Sequence, residues 1–344
     1  MLWDDCVVIP MFFKKYGLSL CCLCVGLALV GCPPAKVGVP DLEGMTVAEA
    51  TTALNDEGLV MGTQQIVFHS TIVEELITES QPSSGSAVEG GTTVNVSVSR
   101  GNVVYVDKDL ASKGEVDGLS WETAFTKIQD GIDLADSFGG GQVWVSEGTY
   151  NEQRTGSITG ALELGDDVEL YGGFNAIVSK GASTINDRDW NTYPTTIDGA
   201  NGRGAGLAAY HVIEAAEDSR IDGFTITGGE ATGLTPVNTY GGGIYIPEVD
   251  TDIANCTIMD NTATLGGGIY SKRSETTILN TVITNNTATG NGGGLYCLTY
   301  VDLTMTNCII SENTATYDGG GLTNLATSDS ILTNCVFYMN TAGS

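Results

Sequence analysis

The chain has 344 residues, and 42% of them are hydrophobic, which is enough apolar material for packed cores and excludes disorder throughout. Acidic residues outnumber basic ones 42 to 14, so the net charge is −28. Long-range repulsion then opposes unaided binding to nucleic acid or to an anionic membrane face, and we expect no nucleic-acid partner. With 46 glycines, only 8 prolines and abundant Thr, Val and Ile, the composition is typical of a mostly β protein with many tight turns.

The first 32 residues differ in composition from the rest of the chain. Lys14 and Lys15 precede an apolar run from Leu18 to Leu29, which is the pattern of a secretion signal. As a helix this run would be roughly 18 Å long, too short to cross a hydrocarbon core of about 30 Å. We therefore predict a signal peptide over residues 1–31 rather than a transmembrane anchor.

The apolar run closes on Leu29-Val30-Gly31-Cys32, which resembles the lipobox of bacterial lipoproteins. The resemblance implies that the thiol of Cys32 takes up diacylglycerol and that Cys32 becomes the mature N-terminus, followed by a short linker over residues 32–36. An ordinary signal that happens to contain a cysteine is the alternative. We expect an exported protein that is lipid-anchored in the bacterial cell envelope, at the outer membrane or cell surface, with the membrane as partner of the lipid.

Residues 37–101 have the pattern of one helix packed on a small sheet. Thr46 and Glu49 have the spacing of a capping box, and Gly58 is placed to end the helix in a left-handed turn. Pro82 to Gly85 is a predicted turn. The predicted extended stretches cover residues 59–69, 72–80 and 93–99.

Two ordered motifs in this module, VPDLEGMTVAEATTALNDEGL and ESQPSSGSAVEGGTTVNVSVSRG, resemble the PASTA domain. The resemblance implies an extracytoplasmic module that binds peptidoglycan fragments in some members of the family and is only a spacer in others. Nine acidic and two basic residues lie between Cys32 and Gly101, and such a surface gains little from an anionic glycan polymer. Spacer and cell-wall contact both stay open here.

An internal repeat dominates the remaining residues, 102–344. Triple glycines begin at Gly241, Gly266, Gly292 and Gly319, at intervals of 25, 26 and 27 residues. Two asparagine markers keep the same period, namely Asn255, Asn280, Asn307 and Asn334, and the Asn-Thr-Ala motifs at Asn261, Asn286, Asn313 and Asn340. A period of this length, shared by three markers, indicates a solenoid.

Each repeat unit contains three short strand-like runs separated by Gly or Asn. Alignment of the units gives three apolar columns, which are Ile244, Ile269, Leu295 and Leu322; Ile253, Ile278, Met305 and Leu332; and Ile258, Ile283, Ile310 and Phe337. A chain that stacks the equivalent apolar residues of successive units on one another in this way is a parallel β-helix. The repeats also resemble the surface β-helix repeats of chlamydial polymorphic outer-membrane proteins. The predicted fold is therefore mostly β, a small α+β PASTA-like domain followed by a right-handed parallel β-helix with regular coils from about residue 240.

Both ends of the predicted β-helix need a cover. Phe125, Ile128, Ile132 and Ala135 have helical spacing, so we predict a capping helix within residues 123–135 that lies across the first coil. At the other end the repeat stops two residues after Ala342, with no helix, charged closing strand or proline. Since a final coil presents unpaired backbone groups, we expect either a longer gene product or end-to-end self-association.

Four cysteines lie beyond the predicted lipidation site, and none has the CxxC spacing of a zinc or redox site. They are Cys256, Cys297, Cys308 and Cys335. An exported chain can oxidise its thiols, but stacked strands about 4.8 Å apart do not necessarily aim two sulfurs at each other. We interpret these cysteines as small buried hydrophobic side chains rather than as disulfides.

Each candidate group for enzyme chemistry also has an ordinary structural explanation. Lys272 and Arg273 are the basic residues of the regular coils, and their serine neighbours indicate a solvated loop rather than the base of a polyuronate lyase. Asp166-Asp167 and Asp187-Arg188-Asp189 come nearest to the paired carboxylates of a glycoside hydrolase. Both stand at loop-like positions, where acids that stabilise turns are the expected explanation.

The histidines are His69 and His211, one in each module, so a His-based triad has a single candidate base in each. No calcium-loop motif is present, although loop acids are compatible with a structural calcium ion. We assign no catalytic residue and no catalytic cofactor. The β-helix is predicted to be a surface for adhesion or glycan binding, with peptidoglycan or a surface polysaccharide as partner. A carbohydrate-active lyase or hydrolase and a purely structural stalk are the alternatives.

Overall fold

The computed structural model describes residues 36–67, 76–99, 103–110, 116–154, 156–175 and 185–343. The predicted signal peptide, Cys32 and His69 lie outside these ranges. Within them, neither of the two α-helices has the length and apolar character needed to span a bilayer.

The first module combines one helix with two small sheets. Helix α1 spans Val47–Asp56. One sheet is the antiparallel pair Lys36–Gly38 and Ala87–Glu89. In the other, Thr93–Ser99 is the central strand, parallel to Val60–Val67 and antiparallel to Ile77–Gln81. The three strands of the second sheet lie within the predicted extended stretches to within one residue, the antiparallel pair was not predicted, and the turn over Pro82 to Gly85 is present.

The predicted ends of helix α1 are confirmed. The Glu49 amide donates to Oγ1 of Thr46 at 3.3 Å, and the Thr46 amide donates to Oε2 of Glu49 at 2.9 Å, which completes the capping box. These hydrogen bonds from Thr46 lower the pKa of the Glu49 carboxyl. Gly58 follows the helix with a φ of +70°, a left-handed conformation that glycine adopts without steric cost. Ala50 and Leu54 of the helix are buried in the core of the module.

The second module is a parallel β-helix whose strands form four parallel sheets, here called A to D. Sheet A contains Val103–Val106, Gly141–Ser146, Val168–Phe174, Ser219–Asp222, Thr251–Ala254, Glu275–Leu279, Asp302–Thr306 and Asp329–Thr333. Sheet B contains Gly148–Tyr150, Thr195–Asp198, Phe224–Thr227, Thr257–Met259, Val282–Thr284, Ile309–Ser311 and Val336–Tyr338. Sheet C contains Leu162–Glu163, Ile213–Glu214, Ile244–Pro247, Ile269–Lys272, Leu295–Leu298 and Leu322–Leu325. Sheet D contains Glu230–Ala231, Thr262–Ala263, Thr287–Ala288, Thr314–Ala315 and Thr341–Ala342.

The three predicted apolar columns are confirmed in register. Ile269 pairs with Leu295 in sheet C, Ile278 with Met305 in sheet A, and Ile283 with Ile310 in sheet B. Each regular unit has four strands, so the prediction of three strands per unit is wrong. The Thr-Ala of each Asn-Thr-Ala motif forms the additional two-residue strand, which belongs to sheet D. Two residues are too short for a hydrophobic period to be visible in the sequence.

Helix α2 caps the first coil as predicted, but it spans Ile128–Ser137 rather than starting near Thr123. Phe125 lies in extended chain instead, because its amide donates to the Tyr105 carbonyl at 2.9 Å and its backbone bridges to Val106. Ile128, Ile132 and Ala135 of the helix join the core of the β-helix. At Gly131 the helix comes so close that an added Cβ would lie 2.7 Å from Cγ2 of Val106.

The last coil differs from the others in its exposure. Phe337 is 41% exposed, whereas Ile310, at the same position one coil earlier, is fully buried. End-to-end association stays a prediction. The four cysteines beyond residue 250 are free thiols, and Cys256, Cys297 and Cys308 are buried while Cys335 is half-buried. This agrees with their interpretation as small core side chains.

Candidate functional site

The asparagine of the Asn-Thr-Ala motif has a structural role inside the coils. Asn286 donates from Nδ2 to the carbonyl oxygens of Ile258 at 2.9 Å and Thr284 at 3.0 Å. Its Oδ1 accepts the Asn261 amide at 3.1 Å, so each asparagine links its own coil to the coil before it. The contacts to the preceding coil recur at Asn313, and this inner ladder explains one of the strongest sequence signals without reference to a ligand.

The other asparagine series forms an outer ladder at a corner of the coils. Asn307 donates to Asn280 at 3.1 Å, and Asn280 donates to Asn255 at 3.2 Å. All three have positive φ values, a conformation that asparagine tolerates better than most residues. Asn255 ends the ladder by donating to Oδ1 of Asp222 at 2.8 Å.

Asp222 is the centre of a charged cluster that includes one of the predicted candidates, Arg188. Nη1 of Arg188 lies 2.8 Å from Oδ1 of Asp222, and Nη2 of Arg220 lies 2.7 Å from Oδ2. The Arg188 guanidinium also lies over the rings of Tyr171 and Trp190, at 4.9 Å from each centroid. Burial raises the pKa of Asp222, but hydrogen bonds from Arg188 and Asn255 outweigh it and hold that pKa below its usual value. The cluster fixes the irregular segment after residue 185 against sheet A.

Of the remaining predicted acids, Asp189 stabilises its own turn, as expected, whereas Asp166 bonds the backbone of the next coil. Asp189 accepts the amides of Asn191 at 3.0 Å and Thr192 at 3.1 Å, and hydrogen bonds from Thr192 lower the pKa of its carboxyl. Asp166 accepts the Glu217 amide at 3.1 Å, and Asp167 has a φ of +57° in the same turn. Asp167 directly precedes the strand Val168–Phe174, whereas the Asp189 amide donates to the Gly173 carbonyl at 2.8 Å near the other end of that strand, so the two predicted acid groups are not paired.

The two basic candidates bind one acid. Lys272 forms a short contact with Glu248, and Arg273 lies 3.0 Å from the same carboxylate oxygen. The hydrogen bond from Lys272, with the charges of both bases, lowers the pKa of Glu248. This exposed ion-pair cluster is the solvated loop that the sequence indicates.

His211 is fully buried rather than open to substrate. Its ring stacks on Tyr245 at a centroid distance of 4.7 Å, and Nδ1 lies 3.1 Å from the Gly241 carbonyl oxygen. Burial lowers the pKa of the imidazole. Among the described residues, no group of three or more His, Cys, Asp or Glu side chains has the geometry of a metal site.

The outward face of sheet A carries a row of polar side chains that crosses six coils. Register places Gln142, Glu169, Arg220, Asp252, Thr277 and Thr304 side by side, and we call this set the polar row. Neighbouring strands lie about 4.8 Å apart. The row is therefore a regular series of donors and acceptors along the axis of the β-helix.

A line of acids runs beside the polar row at the corner where sheet A begins. This carboxylate column consists of Asp218, Asp250, Glu275, Asp302 and Asp329. Glu275 pairs in register with Asp302, and its amide donates to Oδ1 of Asp250 at 2.6 Å. A groove of about 250 Å³ lies between row and column around Arg220. The negative field of the column disfavours an anionic polymer on this face.

A second cleft, of about 300 Å³, lies beside the start of helix α2, and we call it the Arg154 cleft. Arg154 is only 5% exposed, and its Nη1 donates to the Gly160 carbonyl at 2.9 Å. Its Nε and Nη2 are buried and make no hydrogen bond, and the same holds for Oε1 of Glu152 in the cleft. Burial lowers the pKa of Arg154, and the charges of Glu152 and Asp198 oppose this.

The Arg154 cleft escaped the sequence analysis because its parts are distant in the chain. Nη1 of Arg154 also lies 3.4 Å from the carbonyl of Val212, and its amide donates to Gly202 at 2.9 Å. These partners belong to irregular coils, so no period or motif connects them. A glutamate two residues from an arginine is too common in surface loops to be a signal.

Comparisons with known proteins agree with this architecture. Residues 37–100 match the model of the PASTA domain, and residues 242–343 match that of the right-handed beta helix region. The chain thus contains a PASTA domain followed by a right-handed β-helix region. It is 34% identical over 76 residues to a probable serine/threonine-protein kinase PknB of Lactococcus lactis, covering 22% of this chain and 12% of the kinase.

Two further likenesses cover more of the chain. A probable serine/threonine-protein kinase PknB of Corynebacterium glutamicum is 26% identical over 153 residues, which are 44% of this chain and 22% of the kinase. The chain thus spans less than a quarter of the length of either kinase. The tailspike protein gp49 of the Acinetobacter baumannii bacteriophage Fri1, a capsular polysaccharide depolymerase, is 12% identical. The likeness covers 82% of this chain and 59% of the tailspike, with a TM-score of 0.33.

Proposed function

We propose that the protein is an exported, lipid-anchored component of the bacterial cell envelope that binds a glycan along sheet A of its β-helix. The polar row is the observation that carries this proposal. Its side chains present amide, carboxylate, guanidinium and hydroxyl groups at the strand spacing, which suits the repeated hydroxyls of an extended polysaccharide. Because the adjoining carboxylate column repels anions, we infer a neutral glycan as the ligand of this face.

The location rests on the N-terminal part of the chain. The lipobox-like Leu29-Val30-Gly31-Cys32 supports attachment through Cys32, and the PASTA domain supports an extracytoplasmic position for the β-helix. In this arrangement the PASTA domain separates the glycan-binding face from the membrane or itself contacts the cell wall. Cys32→Ala tests the anchor, and we expect the variant to leave the membrane fraction. Unchanged recovery in that fraction would contradict lipidation at Cys32.

Retention of the purified chain on immobilised neutral polysaccharides tests the binding face. The double variant Thr277→Ala/Thr304→Ala removes two exposed hydroxyls of the polar row, and Thr287→Ala removes an exposed hydroxyl from sheet D as a matched control. We expect the double variant to lose about threefold or more in affinity and the control to bind like the parent. Equal retention of all three proteins would contradict the proposed face.

A further inference from the structure

Half of the unsatisfied buried polar atoms in the described part of the β-helix belong to residues of one cleft. Six buried side-chain atoms of the described residues make no hydrogen bond, and three of them belong to Arg154 and Glu152 in the Arg154 cleft. Buried donors and acceptors are normally paired, because an unpaired one loses its hydration without compensation. A cleft lined by residues with two unpaired guanidinium nitrogens and one unpaired carboxylate oxygen thus has groups that a polar ligand could satisfy.

The surroundings fix how the guanidinium is presented. Nη1 is held by the Gly160 and Val212 carbonyls, so Nε and Nη2 remain as the edge that can bind both oxygens of a carboxylate. Arg154 and Glu152 form no ion pair within 4 Å in the described structure, although both line the cleft. The Arg154 guanidinium and the Glu152 carboxylate can therefore bind two different groups of one ligand.

Helix α2 adds a second attraction for a negative group. Its first residues line the cleft, and Lys127 at the N-cap position makes no side-chain capping bond. The amides of the first turn carry partial positive charge, to which the Lys127 side chain adds. Gln129 is not free for a ligand, since its amide group binds both the amide and the carbonyl of Glu163.

The acidic residues of the rim limit the charge of the ligand. Asp130, Asp133 and Glu163 line the cleft together with Glu152. A dianion such as phosphate would meet these carboxylates, whereas a single carboxylate offsets Arg154 alone. Oε1 of Glu152 needs a donor, and a hydroxyl on the same ligand supplies one.

We propose that the Arg154 cleft binds a hydroxycarboxylate, a molecule that carries one carboxylate and neighbouring hydroxyl groups, as a sugar acid does. The carboxylate binds Nε and Nη2 of Arg154, and a hydroxyl donates to Oε1 of Glu152. The site is separate from the polar row, which is proposed for a neutral glycan, so the two proposals stand or fall independently. A volume of about 300 Å³ accommodates one sugar ring.

Calorimetric titration of the full chain with D-glucuronate tests the site. D-glucose, which lacks the carboxylate, and acetate, which lacks the hydroxyls, are the comparison probes, and we expect each to bind about tenfold or more weakly. An oligosaccharide that ends in glucuronate distinguishes a glycan terminus from a free sugar acid as the natural source. Equal binding of all probes, or no binding of glucuronate, would overturn the proposal and leave ordered water as the partner of these atoms.

Two variants assign any binding to this cleft. Arg154→Lys keeps the charge but lacks the planar two-donor edge, and it should lose about tenfold or more in glucuronate affinity. Glu152→Ala lies at a half-buried position and should lower glucuronate affinity to the level of acetate, even if Arg154→Lys fails to fold. Glu122→Gln, an exposed change outside the cleft, is the control and should bind like the parent. Unchanged glucuronate affinity in Glu152→Ala would overturn the proposal. Glucuronate binding that is retained in Thr277→Ala/Thr304→Ala would show that the Arg154 cleft binds independently of the polar row.

Discussion

The side-chain amide of Asn286 donates to Oδ1 of Asn313, one coil further along, at 3.0 Å, and the same oxygen accepts the Asn286 main-chain amide at 2.9 Å. Both residues are fully buried. The Asn286 side chain also bonds the Thr284 carbonyl of its own coil and the Ile258 carbonyl of the preceding coil, where neighbouring glycines leave no room for other side chains. At Gly268 an added Cβ would lie 2.7 Å from the carbonyl oxygen of Gly294. The triple glycines therefore leave the space in which the asparagines of the inner ladder form their hydrogen bonds.

Removal of one inner asparagine should therefore destabilise the β-helix strongly. Asn286→Ala removes the acceptor of the buried Asn261 amide and one donor to the Ile258 carbonyl. We expect a loss of about 2–4 kcal/mol in the free energy of unfolding, measured by chemical denaturation. The matched control is Asn280→Gly in the exposed outer ladder, which keeps a positive φ available and should cost much less. Similar losses in both variants would contradict a special role of the inner ladder.

The core thiols should be unreactive in the folded protein. Burial raises the pKa of Cys256 to about 12 and that of Cys308 to about 11, so little thiolate forms near neutral pH. We expect maleimide at pH 8 to modify half-buried Cys335 first, and the buried cysteines only after unfolding in denaturant. Mass spectrometry of each site measures the rates. Native-state labelling of Cys256 as fast as that of Cys335 would contradict the buried placement.

The Asp222 cluster should make stability depend on pH in a defined direction. The pKa of Asp222 is lower in the fold than its ordinary value of 3.8, so its contribution is complete above about pH 4 and is lost as pH falls through the folded-state pKa. Asp222→Asn leaves half-buried Arg188 without its counter-charge and should cost about 3 kcal/mol at pH 7.

The comparison of parent and variant across pH is the decisive part of that experiment. The stability gap caused by Asp222→Asn should stay constant from pH 7 to about pH 5 and narrow below pH 4. Asp252→Asn is the control, because Asp252 meets Arg220 at 3.2 Å on the exposed face and should contribute less than about 1 kcal/mol. A stability difference between parent and Asp222→Asn that widens on acidification would contradict the expected pH dependence.

The carboxylate column should destabilise the coils through like-charge repulsion. Glu275→Gln removes one charge between Asp250 and Asp302 and should raise the free energy of unfolding by a few tenths of a kcal/mol at low ionic strength. The gain should vanish near 1 M salt, where charges are screened over about 3 Å. Glu122→Gln, away from the column, should show no such gain. An increase that persists in high salt would indicate a cause other than repulsion.

The sequence was sufficient wherever the repeat is regular, because every coil then repeats the same side-chain environment. The register of Ile269 with Leu295, the buried cysteines and the capping box of Thr46 all follow from local pattern or period. Sheet D was missed because its strands have two residues. The pairing of Arg188 with Asp222 and the setting of Arg154 were also missed, since they depend on how irregular coils of unequal length fold back on one another.

The β-helix is proposed to bind a glycan without cleaving it. The most direct measurement is incubation of the purified full chain with a panel of polysaccharides, in which retained protein and newly formed chain ends are quantified in the same samples. We predict saturable retention on a neutral polysaccharide, weakened in Thr277→Ala/Thr304→Ala, with no increase in reducing or unsaturated ends. Time-dependent release of such ends by the parent protein would contradict this proposal and identify the protein as a carbohydrate-active enzyme.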